Sequence, residues 1–489
     1  MNLKFILLVS QGVFLLLSLL LVTSALRVGN LYDLLTVFFV LLFFIVVLLM
    51  ANRKHWAGLF LAGWMISMSI PIPPLDTVTV GFILLCMIGG LYVLEQIVQR
   101  RLFFSLKGWG NVLLFIVASI LIMRFAMDRP GSARMGGVGG LRHALGYTAA
   151  LPFFFISEML GRELSDTNTR KILRFLCGVA ITMIVWRFVM RFAGFAAPMP
   201  FYLGWYEGAM WLLAPLVLAW LLNRRAQVGK FPIAALIFSG VMLLLGVLSP
   251  FRSRIFFALG SIAAVFWCSG YRRRFVVGSI VLLCVVVPLF AFMPQERIPV
   301  IARRALSTVL PYDMADVDAI RDRGVDVSGE YGWGSGFRAF LFDAAVRNIR
   351  RNPWMGQGWG ISLDDLVMAS SFDPYERMMY GLVASGEYHN SMLTVAVKSG
   401  LPAAILLSLG LLVVLVPCVK KAKQLPENDV HTKILYIGIM GGLVAITGQM
   451  LMNGGYRELQ GICVYLGFLH GTLRSHAMQS DENDGESLA

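Results

Sequence analysis

Long uncharged apolar runs, Phe5–Val22 and Leu34–Met50 among them, alternate with short polar breaks along most of the chain. Runs of this length match the ~20 residues a helix needs to cross the hydrocarbon core of a bilayer. Taken in order they predict about fourteen spans. Their extents are 3–25, 32–51, 56–70, 77–98, 108–127, 142–160, 171–193, 204–222, 231–249, 254–270, 275–293, 391–418, 434–452 and 457–473. The third is short and ends at Pro71-Ile72-Pro73-Pro74, so twelve or thirteen crossings with some half-inserted segments is the alternative.

One polar stretch, Pro294–His389, is too long to be a simple connection. Within it Phe337–Arg351 puts Phe337, Leu341, Ala344, Ala345 and Ile349 near one stripe at helical spacing. Asn352-Pro353 then stops that helix. An amphipathic helix beside a membrane is expected to lie along its surface. The expected fold class is thus all-α and polytopic: spans one to eleven (1–293), an outer loop with amphipathic helices (294–389), the last three spans (390–474) and a disordered acidic tail (475–489).

Composition agrees: 58% of the 489 residues are apolar and 14% are charged, where a soluble domain carries roughly a quarter charged. A soluble enzyme, a secreted disulfide scaffold and a disordered tail protein are excluded. The formal charge of +14 raises nucleic acid as a partner, but the charge sits in clusters such as Arg53-Lys54, Arg100-Arg101, Arg224-Arg225, Arg272–Arg274 and Lys420-Lys421. These fall on alternate connections, as the positive-inside rule requires of cytoplasmic loops. Both termini are then cytoplasmic and the long loop faces outward, into the periplasm if the chain sits in a bacterial inner membrane. That loop holds ten Arg against thirteen Asp plus Glu, so nucleic acid is not expected. No CxxC or Cys/His cluster is present, and no metal site is expected. One lysine precedes the first run and further spans follow it, so it reads as a retained helix rather than a leader.

Charged groups within apolar spans are costly and mark candidate sites. Arg124, Arg142, His143, Arg187, Arg191, Glu207, Arg252 and Arg254 all fall at the outer ends of their spans. Glu95 falls near an inner end, where a cytoplasmic Arg can pair with it. Snorkelling arginines and an Arg187/Arg191–Glu207 ion pair are the plainer account of the outer set. The richer one is a basic pocket at headgroup depth for a lipid phosphate or diphosphate. All ten basic residues of the long loop are Arg, whose planar fork binds phosphate oxygens bidentately.

Gly356-Gln357-Gly358 lacks the Lys-Ser/Thr of a nucleotide loop and reads as a turn after a helix. His389 stands where the long loop re-enters the membrane, with Glu387 and Asn390 beside it. A histidine there is a helix cap or interface residue, or else a base that takes the proton of an attacking hydroxyl.

The order of these segments resembles a known family. Arg338, a helix, Asn352-Pro353-Trp354-Met355-Gly356-Gln357-Gly358, a spacer, His389-Asn390-Ser391-Met392-Leu393 and Gly400-Leu401-Pro402-Ala403 look like the signature of the O-antigen ligase and O-antigen polymerase superfamily. Ser249–Gly260, with Arg254, resembles the family's Ser/Arg element, and the likeness covers roughly residues 240–410. The resemblance implies a GT-C-like membrane glycosyltransferase with surface helices roofing a cavity. It would move a glycan from an undecaprenyl-diphosphate donor to a glycan or lipid A core acceptor, without a cofactor or metal. By position, Arg254 (or Arg252) and Arg338 would hold the diphosphate and His389 would act on the acceptor. Arg142, Arg191, Glu387 and Asn390 are further candidates for donor or glycan contacts, and Asp364, Asp365, Asp373 and Glu376 have no assigned role. Membrane lipid and a polysaccharide chain-length regulator are the expected partners. A lipid-linked oligosaccharide flippase and a membrane scaffold are the competing readings. A transporter would be expected to carry mid-membrane ionisable groups and an internal repeat. Polymerase and ligase share a donor, and the sequence leaves them open.

Overall fold

The computed structural model describes residues 56–65, 80–100, 106–128, 138–164, 169–181, 203–226, 233–247, 253–293, 335–359, 383, 388–422, 430–452 and 455–486. Every regular element among the described residues is helical. In chain order they are α1 (Trp56–Met65), α2 (Val80–Val98), α3 (Trp109–Met127), α4 (Val138–Arg162), α5 (169–181), α6 (Leu203–Ala226) and α7 (Ile233–Val247). There follow α8 (Ser253–Cys268), α9 (Arg272–Phe292), α10 (Ser335–Arg351), α11 (Ser391–Ser399), α12 (Leu401–Lys421), α13 (Val430–Met452) and α14 (Tyr456–Glu486). Each falls on a predicted apolar run or, for α10, on the predicted amphipathic stretch. Among the described residues five helices are long and apolar enough to cross a membrane: Gly81–Val98, Trp109–Met127, His143–Arg162, Leu401–Lys421 and Val430–Leu451. The runs 3–25 and 32–51 lie outside the described residues.

Two elements differ from the pattern reading. The run 391–418 is not one helix, because Gly400 (φ 94) breaks it into α11 and α12. Helical backbone also continues through Glu486, into the stretch expected to be a disordered tail. Extending a packed helix requires no new nucleus, so polar residues propagate it at little cost.

The chain forms two compact units. In the first (Met1–Glu95 with Lys171–Ala209), α1 packs on α2 through Trp56 and Tyr92, whose rings lie edge-on at 6.4 Å. Gly58 lets α1 meet the Ile172 and Phe175 side chains, and Phe60, Leu61, Leu84 and Leu85 fill the core.

The second unit (Gln96–Arg170 with Met210–Ala489) is built on two helices far apart in sequence. α4 and α14 run parallel and touch along their length. Gly146 faces Tyr456 at one end, and Glu158 faces Gly471 towards the other. A Cβ on Gly161 would stand 2.5 Å from the Phe468 carbonyl oxygen, so backbone meets backbone there. Ser157 Oγ donates to the Val464 carbonyl at 2.6 Å, and Gln460 Nε2 to that of Gly146 at 2.9 Å. Around this pair α3 packs on α12 where Leu114 meets Gly410, and α8 on α13 where Phe257 meets Gly448. Ile405, Leu409, Leu412, Val413 and Val416 line an exposed apolar side of α12, as a helix in contact with lipid tails requires.

A charged knot joins α3, α4 and α14. Glu158 is fully buried. Its carboxylate accepts from Asn111 Nδ2 at 2.7 Å, from Arg474 Nη1 at 2.8 Å and from the Arg162 guanidinium, with His470 Nδ1 at 3.4 Å. Arg474 also donates to the Lys107 carbonyl. A buried carboxylate survives only with such company.

Candidate functional site

At the opposite end of the second unit from Glu158, the segments singled out in the sequence converge. Asn390 caps α11: its Oδ1 accepts from the Met392 and Leu393 amides at 2.9 and 3.1 Å. Its Nδ2 donates to the Leu451 carbonyl at 3.0 Å, in the last turn of α13. Ser391 Oγ donates to the Gly455 carbonyl at 2.7 Å, just before α14. The Asn390 side chain, proposed from the sequence as a substrate contact, is thus occupied in fixing where α11 begins.

His389 precedes this cap with φ 51. Left-handed backbone is uncommon outside glycine and costs on the order of 1–3 kcal/mol. Arg100 has a similar φ of 53, but it follows the end of α2, where left-handed residues ordinarily terminate helices. His389 is held so by its neighbours: Tyr388 is buried, and its hydroxyl accepts from Asn348 Nδ2 of α10 at 3.0 Å.

That bond ties α10, the helix that carries Arg338, to the residue before His389. Phe340, Leu341, Ala344 and Ala345 of α10 pack with Val383, Tyr388 and Val397, and Ile349 and Leu393 lie against the cluster. Of the predicted stripe, Leu341, Ala344 and Ala345 are buried and Ile349 lies against them, with Phe340 added to the same face. Arg338 lies in the first turn of α10. Arg254 lies in the first turn of α8, one turn before Phe257, which meets α13 at Gly448. Because Leu451 of the same helix receives Asn390, the start of α8 and the start of α11 flank one end of α13. Arg142 is near the start of α4, at the end where His143 meets the Tyr456 ring at 5.1 Å. Arg187, Arg191, Arg252, Glu387, Asp364, Asp365, Asp373 and Glu376 lie outside the described residues.

The Asn-Pro-x-x-Gly-x-Gly segment is a turn, and its glycines have a physical reason. Gln357 and Gly358 donate their amides to the Val397 and Lys398 carbonyls at 2.7 and 3.0 Å, and Leu401 donates to that of Pro353 at 2.8 Å. The turn therefore lies against the α11–α12 break, backbone to backbone. A Cβ on Gly356 would stand 2.6 Å from the Gly400 nitrogen, and one on Gly400 2.6 Å from the Trp354 carbonyl carbon. The motifs Gly356-Gln357-Gly358 and Gly400-Leu401-Pro402 are thus two halves of one contact.

Sequence reasoning missed the polar and aromatic groups that surround this contact. Trp359, 2% exposed, lies 5.5 Å from the Tyr147 ring, which lies 6.3 Å from that of Tyr456. Glu458 accepts from the Gly455 amide at 2.7 Å and from Gln449 Nε2 at 3.2 Å. A Glu three residues after a helix-capping position was readable as a capping signal. Among the described residues no group of three or more His, Cys, Asp or Glu converges as metal ligands would.

No curated protein matches the chain. Residues 233–408 match the family described as O-Antigen ligase, a range that runs from the start of α7 into α12 and holds Arg254, Arg338 and His389 together. Over that segment the chain is similar to the O-antigen ligase family, as its motif order led one to expect.

Proposed function

We propose that the chain transfers a glycan from an undecaprenyl-diphosphate carrier to a sugar hydroxyl at the periplasmic face of a bacterial inner membrane. The observation that supports this most is that the Asn390 cap beside His389 is bonded to the last turn of α13, whose Gly448 meets Phe257 one turn after Arg254, while Tyr388 is bonded to Asn348 of the helix that carries Arg338. In this reading the chain crosses the membrane about fourteen times in a GT-C-like arrangement, with cytoplasmic termini and the long loop outside.

The acceptor oxygen attacks the anomeric carbon of the donor sugar, and the bond from that carbon to the diphosphate oxygen breaks. His389 takes the hydroxyl proton, a contribution typically worth ~10²–10⁴ in rate. The charge left on the lipid diphosphate is held by Arg254 and Arg338, fixed cations that need no reorganisation as the bond opens. A left-handed backbone at His389 fits this role, because strain of that kind is kept where a side chain must be aimed. Arg142, Arg191 and Arg252 extend the basic lining, and Glu387 lies two positions before the base. A second glycan makes the protein a polymerase, and a lipid A core sugar makes it a ligase.

The test is product formation by purified protein from an undecaprenyl-diphosphate-linked glycan and each acceptor. His389→Gln, Arg254→Ala and Arg338→Ala should each lower turnover at least ~100-fold, with donor binding kept only by the histidine variant. Arg→Lys should rescue poorly, since an ammonium cannot make the bidentate contact. Undiminished turnover by His389→Gln would refute the assignment of the base. Carrier movement across vesicles without any transfer would favour a flippase.

A further inference from the structure

The last turn of α3 presents a puzzle of charge. Asp128 caps the C-terminal end of that helix, where the helix dipole disfavours an anion. Helix stability alone therefore does not account for a carboxylate there. Its Oδ2 instead accepts the Trp359 amide at 2.7 Å, from a residue 231 positions later in the chain. Arg124, one turn back, stands with its Nε 3.6 Å from the same oxygen and donates through Nη2 to the Gly356 carbonyl at 3.3 Å. Both side chains are largely shielded, at 17% and 16% exposure. A Cβ on Gly358 would stand 2.7 Å from both carboxylate oxygens, so the glycine leaves room for them.

We propose that Asp128 and Arg124 are positioning residues for glycan transfer. They clamp the Gly356–Trp359 turn to the end of α3 and so fix the arginine helix α10 relative to His389. The turn is the link between the two: it directly follows α10, and its backbone is bonded to the Val397 and Lys398 carbonyls of α11, the helix that starts at the His389-Asn390 cap. Without the clamp the turn keeps its bonds to α11 and to the start of α12 but loses its two polar ties to the end of α3, the Trp359 amide to Asp128 and Arg124 to the Gly356 carbonyl. This inference rests on the transferase reading above, because it assigns the clamp a part in that reaction. Neither residue touches the reacting atoms in it. A misplacement of about 1 Å in a catalytic group costs on the order of 100-fold in rate, so the clamp acts on turnover.

The experiment compares Asp128→Ala, Asp128→Asn and Arg124→Ala with the parent full-length protein in lipid nanodiscs. It follows transfer kinetics and, separately, backbone amide exchange over 352–359. Asp128→Asn retains an oxygen that can accept the Trp359 amide, whereas Asp128→Ala does not. We expect Asp128→Ala to lower kcat ~10–100-fold with donor KM within about threefold, and to speed exchange over 352–359. Arg124→Ala should lie between, and Asp128→Asn should recover at least a third of the parent kcat with near-parent exchange. A purely structural role would give equal loss in all variants through lower yield of folded protein, with kcat per folded molecule unchanged, and would overturn the proposal. So would an Asp128→Asn variant as slow as Asp128→Ala, or exchange unaltered by Asp128→Ala. A parent protein inert with every acceptor would sink the transferase reading and the assigned role together. An active parent with unaltered exchange would sink the clamp alone.

Discussion

Replacing Gly161 by alanine tests whether the α4–α14 contact is as close as the geometry requires. The added methyl would stand 2.5 Å from the Phe468 carbonyl oxygen, 3.2 Å from its carbon and 3.2 Å from the Thr472 nitrogen. Ordinary carbon contacts lie at ~3.5–4.0 Å, so the helices must part by about 1 Å. Overpacking of this kind costs ~1–3 kcal/mol. Parting also stretches the Arg474–Glu158 bond one turn away, now 2.8 Å, and a bond to a charged group is worth ~1.5–3 kcal/mol. Against these stands a gain of ~1 kcal/mol for alanine over glycine inside a helix. The net loss is roughly 1.5–5 kcal/mol. Gly240→Ala is the control, since its added methyl meets nothing within 4 Å and keeps only the helix gain. Heating in detergent followed by size-exclusion of the soluble fraction should show Gly161→Ala failing several degrees below the parent, with Gly240→Ala level with it or above. Equal midpoints for the two alanines would refute the close-contact reasoning.

Glu158→Ala should destabilise by ~3–5 kcal/mol in the same heating assay, because it leaves Arg162 and Arg474 without their buried anion. Arg474→Ala should cost less, since Asn111, Arg162 and His470 remain with the carboxylate. Asn390→Ala should cost ~1 kcal/mol from the lost cap and lower transfer through the adjoining His389, while Asn390→Ser, which can still cap α11, should restore stability. A cysteine at Ser328 should react with a membrane-impermeant thiol reagent applied outside and one at Gln227 should not. The reverse labelling would overturn the proposed orientation.

Helix positions were legible because twenty-residue apolar runs have one economical solution in a bilayer. The runs 108–127 and 142–160 became Trp109–Met127 and Val138–Arg162 with only end shifts. The break at Gly400 was not legible, because its cause is the turn at Trp354, and apolarity alone carries no record of that approach. The motif residues were visible as types, yet Asn390 proved to be a cap and the glycines backbone contacts. Trp359 and Asp128 were passed over because their meaning lies in a pairing across 231 positions. Glu158 went unnoticed because it stands one turn before Arg162, where it looks like a helix-end ion pair.

The embrace of α4 by α14 also sets an order of events during synthesis. Glu158 enters the membrane with Arg162 and Asn111 already made, but Arg474 follows 316 positions later. Until then one side of α4, with its glycine faces and half-neutralised carboxylate, is open to lipid. Docking of α14 closes that side, joining backbone contact and ion pairing at once. A chain that stops before Tyr456 therefore leaves Glu158 without Arg474 and His470, two of the partners that offset its burial.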